Sequence, residues 1–257
     1  MDQLRNLLGS TQMVMSGWCG YQDPLYLAAV ARTGVDAVTL DMQHGMQTEN
    51  SVIHGVAAIA ASSKPALVRI PVGRFELASK VLDAGAQGII APMINTVEDA
   101  EQLVSYTKYI PVGDRSYGPS QAAAILQVSG VDYVKNANKD LIIFAMIETK
   151  EAVENMEAIA AVKGIDGLFC GPGDLSISVR NTVIPDAYGV DTIKIVEKIK
   201  QVSHDAGKFA ATWCGNLEQI ELVNKIGFDY AAMGTDDLLL SQGANALLES
   251  MSFRSQA

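Results

Sequence analysis

Basic residues are scarce in this sequence, which carries 19 lysines and arginines against 29 aspartates and glutamates, for a formal net charge of −10. This balance argues against nucleic acid and against an anionic membrane surface as partners, because both attract basic patches. Long apolar runs are also absent, and none reaches the ~18 residues that a membrane-spanning helix needs. The N-terminal stretch contains Asp2 and Arg5 and no long apolar core, so no signal peptide is predicted. We therefore expect a soluble protein.

Cysteine and histidine are sparse as well, with three of each. Three cysteines without close spacing favour reduced thiols and a cytoplasmic location over a disulfide framework or a zinc site. Two of the histidines, His54 and His204, fall within predicted helices, which leaves His44 as the candidate for chemistry. The sequence also has no P-loop, no G-x-G-x-x-G and no G-x-S-x-G elbow. No lysine stands at the end of a predicted strand, which argues against Schiff-base chemistry.

The sequence does contain a regular alternation of strands and helices over its 257 residues, 49% of which are hydrophobic. Apolar segments typical of buried strands occupy 13–18, 37–41, 65–69, 88–92, 141–147, 167–170, 208–212 and 230–233. Helical segments occupy 23–33, 50–62, 74–84, 97–108, 150–162, 190–206, 217–225 and 236–249. No charged or Pro/Gly-rich linker interrupts the chain at any midpoint, so the pattern predicts a single α/β domain over 1–257, a closed (β/α)8 TIM barrel. A doubly wound open sheet is the alternative.

Residues 109–140 break this alternation. They contain Pro111, Gly113, Gly118 and Pro119 and a run of alanines, and they are too long for an ordinary connection. We predict an inserted loop or helix segment here. Insertions of this kind in barrels often act as lids or subunit contacts.

The stretch G-L-F-C-G-P-G-D-L-S at 167–176 joins a strand to a turn that carries polar groups. Its first four residues are typical of a buried strand, and Gly171, Pro172 and Gly173 then force a tight turn. Asp174 follows where that turn ends, beside free backbone N–H groups. Ligands of α/β proteins bind at this end of the strands. The alternative is structural, with Asp174 only capping a helix.

Other polar side chains stand at or just past further strand ends. They are Asp41 and His44 after the second strand, Arg69 at the end of the third and Glu148 after the fifth, with Trp18 beside them. Each one alone has a structural explanation, such as a surface arginine or an acid at the start of a helix. In a barrel, however, these ends converge on the face that carries the chemistry.

Glu148 and Asp174 come from adjacent predicted strands and form a sparse set of oxygen ligands. With no thiol or second histidine nearby, such a pair suits Mg²⁺ or Mn²⁺, whose remaining positions go to water or substrate. A glycosidase with paired carboxylates is an alternative, but it leaves Arg69 and the turn at 171–173 unexplained.

Five segments carry a family resemblance. They are V-D-A-V-T-L-D-M-Q-H-G (35–45), L-V-R (67–69), L-D-A-G-A-Q-G-I-I-A-P-M (82–93), I-E-T-K-E-A (147–152) and G-L-F-C-G-P-G-D-L-S (167–176). Together they resemble the HpcH/HpaI family of metal-dependent (class II) pyruvate aldolases, of the hydroxy-heptenedioate aldolase type. The resemblance implies a barrel of the phosphoenolpyruvate/pyruvate-domain type. It also implies reversible cleavage of a 4-hydroxy-2-oxo acid into pyruvate, or hydroxypyruvate, and an aldehyde.

The resemblance further implies roles for the candidate residues. Glu148 and Asp174 would hold a divalent cation (Mg²⁺, Mn²⁺ or Co²⁺). Arg69 would face the keto or enolate oxygen of the substrate. His44 with Asp41 would form the acid/base pair.

Substrate binding and assembly are implied in the same way. The backbone N–H groups of Gly173 and Asp174 would receive the pyruvate carboxylate, as turns and helix starts do, and Trp18 would line the site. Family members are often hexamers that exchange the last helix, so a homo-oligomer (hexamer or trimer) with 236–257 in subunit contact is expected. Asp83 matches a family position near a neighbouring subunit's site.

The sequence departs from the family pattern at three places, and these departures bear on which aldehyde is the partner. The usual D-G-E-H is here Asp41-Met42-Gln43-His44, Met146 stands where well-known members have glutamine, and the loop at 113–119 differs from the usual R-G-x-G run. Two enolate-forming enzymes are alternatives within the scaffold: a citrate-forming synthase, and a citrate-lyase-type enzyme, which needs a basic site for CoA that the sequence lacks. A non-catalytic binding protein is a third alternative, although it needs no proton-transfer pair.

Overall fold

Eight parallel strands close into a barrel in the computed structural model, which describes residues 2–251. Met1 and 252–257, including the end of the predicted segment 236–257, lie outside the described residues. The strands are β1 (Val14–Cys19), β2 (Ala37–Asp41), β3 (Ala66–Arg69), β4 (Gly88–Ala91), β5 (Ile142–Ile147), β6 (Gly167–Cys170), β7 (Phe209–Cys214) and β8 (Tyr230–Met233). Each strand pairs with the next, and β1 pairs with β8 through Val14 opposite Tyr230. The predicted TIM barrel is therefore confirmed, and the open sheet is excluded.

Twelve helices occur within the described residues. They are α1 (Gln3–Leu8), α2 (Pro24–Ala31), α3 (Glu49–Ala60), α4 (Phe75–Asp83), α5 (Val97–Thr107), α6 (Ser120–Ile125), α7 (Gly130–Asp140), α8 (Lys150–Ala161), α9 (Pro172–Arg180), α10 (Val190–Asp205), α11 (Leu217–Ile226) and α12 (Asp236–Glu249). No helix within 2–251 is both long and apolar enough to cross a membrane.

The barrel interior is a packed core. Leu67, Phe144, Phe169 and Tyr230 fill it and are buried, as expected of a barrel whose inward side chains stack in layers. The hydroxyl of Tyr230 is hydrogen-bonded to Thr39, which satisfies its polar atom inside an apolar core. A second, larger apolar cluster lies between the strands and the surrounding helices. Strands covered on both faces read as continuous apolar runs, which explains why they were recognisable.

Side-chain caps begin most helices that leave the carboxyl end of the barrel. Thr48, Thr96, Thr149, Asn216 and Thr235 each accept a backbone N–H from the first turn of the helix that follows. Such a cap is worth about 1 kcal/mol relative to alanine. The caps define where each helix begins and therefore where the preceding loop ends. The loops at this end of the barrel contain the candidate site.

Four helices were not bounded from the sequence: α1, α6, α7 and α9, of which α6 and α7 lie in the segment 109–140 where a loop or helix was predicted. Helix α1 has two buried residues, Leu4 and Leu8, and Leu4 lies beside Gly88 at the start of β4. Arg5 binds Asp166 in an ion pair. Isolated helices this short are marginal in water, so tertiary packing stabilises α1 more than its own sequence does.

The segment 109–140 contains α6, which packs on α4, and α7, which packs on α6 and α1. Arg115 fastens it to the barrel wall, because its Nη2 donates to Asp83 Oδ1 at 2.6 Å and to the hydroxyl of Tyr133 at 3.2 Å. The Arg115 side chain is fully buried, with the rings of Tyr109 and Tyr133 within 4.7 and 5.6 Å.

Candidate active site

A cleft of about 400 Å³ opens at the carboxyl ends of the strands. It is lined by seven of the sequence-predicted residues: Trp18, Asp41, His44, Arg69, Glu148, Gly173 and Asp174. These side chains are up to 156 positions apart in the chain, from Trp18 to Asp174. Closure of the barrel brings them onto one surface, which is the surface that carries chemistry in this fold.

Arg69 and Asp41 form a buried two-point ion pair across neighbouring strand ends. Arg69 Nε donates to Asp41 Oδ1 at 2.8 Å and Nη2 donates to Oδ2 at 2.7 Å. Trp18 Nε1 donates to Oδ2 at 3.3 Å, and its ring lies 4.7 Å from the guanidinium carbon. Burial by itself raises the pKa of Asp41, but the hydrogen bonds and charge of Arg69 outweigh it and hold the pKa below its usual value. The charged pair is therefore the stable form.

His44 lies in the loop after β2, and its side chain is exposed at the cleft. Asp41 Oδ1 accepts the backbone N–H groups of Gln43 at 3.0 Å and of His44 at 3.3 Å, which folds the loop back on the strand end. Among the described residues, the hydrogen bonds to the Asp41 carboxylate come from Arg69, Trp18 and these two N–H groups. Asp41 thus orients the His44 backbone, and the imidazole does not contact it through a hydrogen bond.

Glu148 directly follows β5 and is 1% exposed. Its Oε1 accepts the backbone N–H of Met93 at 2.8 Å, and Met93 has a φ of 54°, an uncommon conformation for a residue with a side chain. Burial raises the pKa of Glu148 to about 7; the Met93 hydrogen bond opposes this, nearby Asp174 adds to it and Arg69 opposes it. Two acidic groups near a single arginine make a site that favours a positively charged ligand.

Gly173 and Asp174 lie in the first turn of α9. The helix begins at Pro172, which has no N–H to leave unpaired. The N–H groups of the next residues have no partner within the helix, and no atom lies within 4 Å of the position a Cβ on Gly173 would take. This helix start therefore offers donors to an anion, with open space in front of them.

The residues present fit a divalent cation. Within residues 2–251, no group of three or more His, Cys, Asp or Glu side chains could hold a metal by itself. The carboxylates of Glu148 and Asp174 line the same cleft and provide hard oxygen donors of the kind that Mg²⁺ and Mn²⁺ prefer. A cation held by two protein ligands keeps most of its coordination sphere for small molecules.

Comparison with known proteins identifies the family of the chain that forms this cleft. The family model described as HpcH/HpaI aldolase/citrate lyase matches residues 15–243, which include every cleft residue named above.

The chain belongs to the HpcH/HpaI aldolase/citrate lyase family. It is accordingly an enzyme of the carbon–carbon lyase class.

Relatives of this HpcH/HpaI chain are named as aldolases. A hydroxypyruvate/pyruvate aldolase from Rhizorhabdus wittichii is 33% identical over 250 residues, covering 96% of this chain and 98% of the relative. A 2-keto-3-deoxy-L-rhamnonate aldolase from Salmonella gallinarum is 34% identical over 225 residues, covering 87% and 83%. Among solved structures, the citrate synthase SbnG aligns over 100% of both chains with a TM-score of 0.85 and 26% identity.

Several cleft residues of this family member were missed from sequence. Tyr21, Trp213, Asp236 and Asp237 also line the cleft. Asp236 is 5% exposed, and its Oδ2 accepts the N–H groups of Gly20 and Tyr21 at 2.5 and 3.1 Å. The polar residues just past β8 were a usable signal, because Asp236 follows the end of its strand by three residues, as His44 does after β2.

Asp83 is the one predicted site residue that the cleft does not include. It lies at the end of α4, where its carboxylate binds Arg115, and it lines a separate surface groove with His54 and Lys80. Burial raises the pKa of Asp83, and Arg115 only partly offsets this. Within one chain, Asp83 is therefore not brought to the catalytic groups.

Proposed function

We propose that this protein is a divalent-metal-dependent (class II) aldolase that reversibly cleaves a 4-hydroxy-2-oxo acid into pyruvate, or hydroxypyruvate, and an aldehyde. The observation that carries the proposal is the shared cleft. Arg69, Glu148 and Asp174 come from three strand ends and line one space together with the exposed His44. A relative named hydroxypyruvate/pyruvate aldolase supports the choice of 2-oxo acid.

Glu148 and Asp174 hold the cation in this proposal; Mg²⁺, Mn²⁺ and Co²⁺ are the candidates. When bound, the cation supplies positive charge that stabilises the enolate oxygen as the carbon–carbon bond breaks or forms. The two carboxylates have different surroundings. Glu148 is buried and held by a backbone N–H, whereas Asp174 stands at the start of a helix.

The start of α9 binds the carboxylate of the 2-oxo acid. The N–H groups of Gly173 and Asp174 supply the donors, and the positive end of the helix dipole adds to them. Gly173 leaves room for the carboxylate to approach the backbone.

Arg69 supplies a second fixed positive charge beside the keto oxygen. Its Nε and Nη2 each donate one hydrogen bond to Asp41, so both N–H groups of Nη1 and the second N–H of Nη2 remain as donors for the substrate. A donor already held in place stabilises developing negative charge without first reorganising.

His44 exchanges the proton of the 4-hydroxyl group. The loop after β2 presents its imidazole to the cleft and to solvent, where it can pass the proton on after each turnover. General acid–base catalysis of this kind contributes about 10²–10⁴-fold in rate.

A citrate-forming synthase is the second candidate, because the citrate synthase SbnG shares the whole fold at 26% identity. It uses the same enolate chemistry with a 2-oxo acid in place of the aldehyde. A thioester enzyme is disfavoured, because Arg69 and His44 are the basic side chains among the described residues that line the cleft.

The experiment that tests the proposed function is an assay of pyruvate and hydroxypyruvate with a panel of aldehydes, with oxaloacetate as the competing acceptor. We expect carbon–carbon bond formation with aldehydes, loss of turnover with EDTA and recovery with Mg²⁺, Mn²⁺ or Co²⁺. Full activity in a metal-free preparation would overturn the class II assignment. Citrate formation from oxaloacetate and an acetyl donor, without turnover of any aldehyde, would favour the synthase.

The assembly and location of the enzyme also remain proposals. We infer a homo-oligomer, a trimer or hexamer, in which α12 contacts a neighbouring subunit and Asp83 lies near that subunit's cleft. Support comes from α12 itself, because Asp236 is its one buried residue, while Leu240 and Leu247 are 54% and 67% exposed. A cytoplasmic location is consistent with three unpaired cysteines.

A further inference from the structure

The two oxygens of the Glu148 carboxylate have different surroundings. Oε1 accepts the N–H of Met93. Oε2 lies against Gly171, the residue that follows β6, and both residues line the cleft. The orientation of the Glu148 carboxylate therefore depends on two neighbours: the Met93 N–H, which binds Oε1, and Gly171, which lies beside Oε2.

Gly171 leaves no room for a side chain beside Glu148. A Cβ at this position would lie 2.8 Å from Glu148 Cβ, closer still to Oε2, and 3.0 Å from Met146 Cε. The backbone does not itself require glycine, since φ is −91° and ψ is 82°. Gly171 is therefore needed for space rather than for conformation. The sequence had suggested the opposite, that this glycine serves a tight turn.

The Met93 side of Glu148 is braced by the turn between β4 and α5. Asn95 ties this turn to α8, because its Oδ1 accepts the hydroxyl of Thr149 and its backbone carbonyl accepts Asn155 Nδ2 at 2.8 Å. Thr149 directly follows Glu148 in the chain. The loop whose Met93 N–H orients Glu148 is thus bound to Thr149, the residue that follows Glu148.

We propose that Gly171 and Asn95 are positioning residues for the metal site: they hold Glu148 so that Oε2 faces the cleft, and they set the affinity for a divalent cation without touching it. The inference rests on the proposed function in one respect, that Glu148 is a metal ligand. Residues that orient a ligand typically change metal affinity by about 10–100-fold when altered.

The first test is Gly171→Ala, with Gly34→Ala as the matched control because no atom lies within 4 Å of a Cβ at Gly34. Mn²⁺ affinity is measured by electron paramagnetic resonance on the metal-free protein. We expect binding weakened at least tenfold in Gly171→Ala and unchanged in Gly34→Ala. A metal-free crystal structure of Gly171→Ala should show Glu148 rotated away from the Met93 N–H.

The second test removes the hydrogen bond between Thr149 and the Asn95 side chain and keeps the bond from Asn155 to the Asn95 backbone. It remains informative if Gly171→Ala does not fold. Asn95→Ala is compared with Asn136→Ala, whose amide donates to the Asp132 carbonyl within its own helix. We expect several-fold weaker Mn²⁺ binding for Asn95→Ala alone.

The possible failures are distinguishable. If both variants bind Mn²⁺ like the wild type and Glu148 keeps its orientation in the crystal, the positioning role is wrong. If the wild type itself binds no Mn²⁺, the proposed function fails and so does the metal role. A rotated Glu148 in the Gly171→Ala crystal structure would then show that residue 171 orients this side chain, but not that the orientation serves a metal site.

Discussion

At the scale of single residues, Arg69 is the side chain whose surroundings explain most about the site. Two of its nitrogens bind Asp41, its guanidinium lies against Trp18, and its side chain is only 10% exposed. A strand-end arginine facing a pocket would be expected from sequence to matter for catalysis and little for stability. Because of the buried pair with Asp41, we expect Arg69 to contribute to both.

We predict that Arg69→Ala lowers kcat by about 100-fold, because it removes a fixed donor at the developing oxyanion. It should also lower the free energy of unfolding by about 3–5 kcal/mol, since Asp41 is left buried without its partner. Arg74→Ala is the control, because that arginine is 55% exposed and pairs with the neighbouring Glu76. Kinetics and urea denaturation measure both effects. Normal stability in Arg69→Ala would show that the pair is not energetically important.

The same pair predicts a pH dependence of stability. Despite burial, the pKa of Asp41 is held below its usual value in the folded protein by Arg69 and the backbone N–H groups, so the pair stabilises the fold fully above the usual carboxyl pKa. The stabilisation is lost as pH falls through the lower, folded pKa. We therefore expect the stability difference between wild type and Asp41→Asn to be constant from pH 5 to 8 and to shrink in acid. A difference that grows in acid would contradict this sign.

His44→Ala should reduce carbon–carbon cleavage by about 10²–10⁴-fold, as expected for loss of a general acid or base. Binding of the 2-oxo acid should be retained, because the cation ligands and the start of α9 are untouched. His204→Ala serves as control, since His204 pairs with Asp229 outside the cleft. The measurements are a pyruvate titration and the retro-aldol rate across pH 5 to 9. An unchanged pH profile would assign the proton to another group.

At the scale of elements, α12 stands apart from the other long helices. Every residue from Leu240 to Ser250 is exposed, although the helix carries leucines that normally pack. Its first turn is anchored, because Asp236 binds the loop after β1 and Tyr21 donates to Asp237. The helix is therefore fixed where it leaves the cleft and uncovered further on, which suits a contact with another subunit.

We predict that Leu240→Ser together with Leu247→Ser dissociates the oligomer. Leu217→Ser is the matched control, because Leu217 is 67% exposed, as is Leu247, but lies on α11. Light scattering coupled to size exclusion reports the mass of each variant. A wild-type protein that is already monomeric would refute the subunit contact.

At the scale of the whole molecule, the sequence by itself determined the architecture. Buried parallel strands are apolar on both faces, so β2, β6 and β8 could be bounded from residues alone. The polar residues at the ends of β2, β3, β5 and β6 were predicted to share one face, because position relative to a strand end is a local property, and Arg69, Glu148 and Asp174 do line one cleft. The lone exception among the predicted site residues, Asp83, had no strand end to place it.

Only the tertiary structure decided how these groups are partnered. Asp41 pairs with Arg69 across 28 positions, and Glu148 is bound by Met93 across 55. Such partners depend on the register between strands and on the path of loops, which no local pattern specifies. The six-residue helices α1 and α6 belong to the same category, because helices this short are stabilised chiefly by what they pack against. The need for glycine at position 171 is likewise a matter of space beside Glu148, and that space exists only once the barrel has closed.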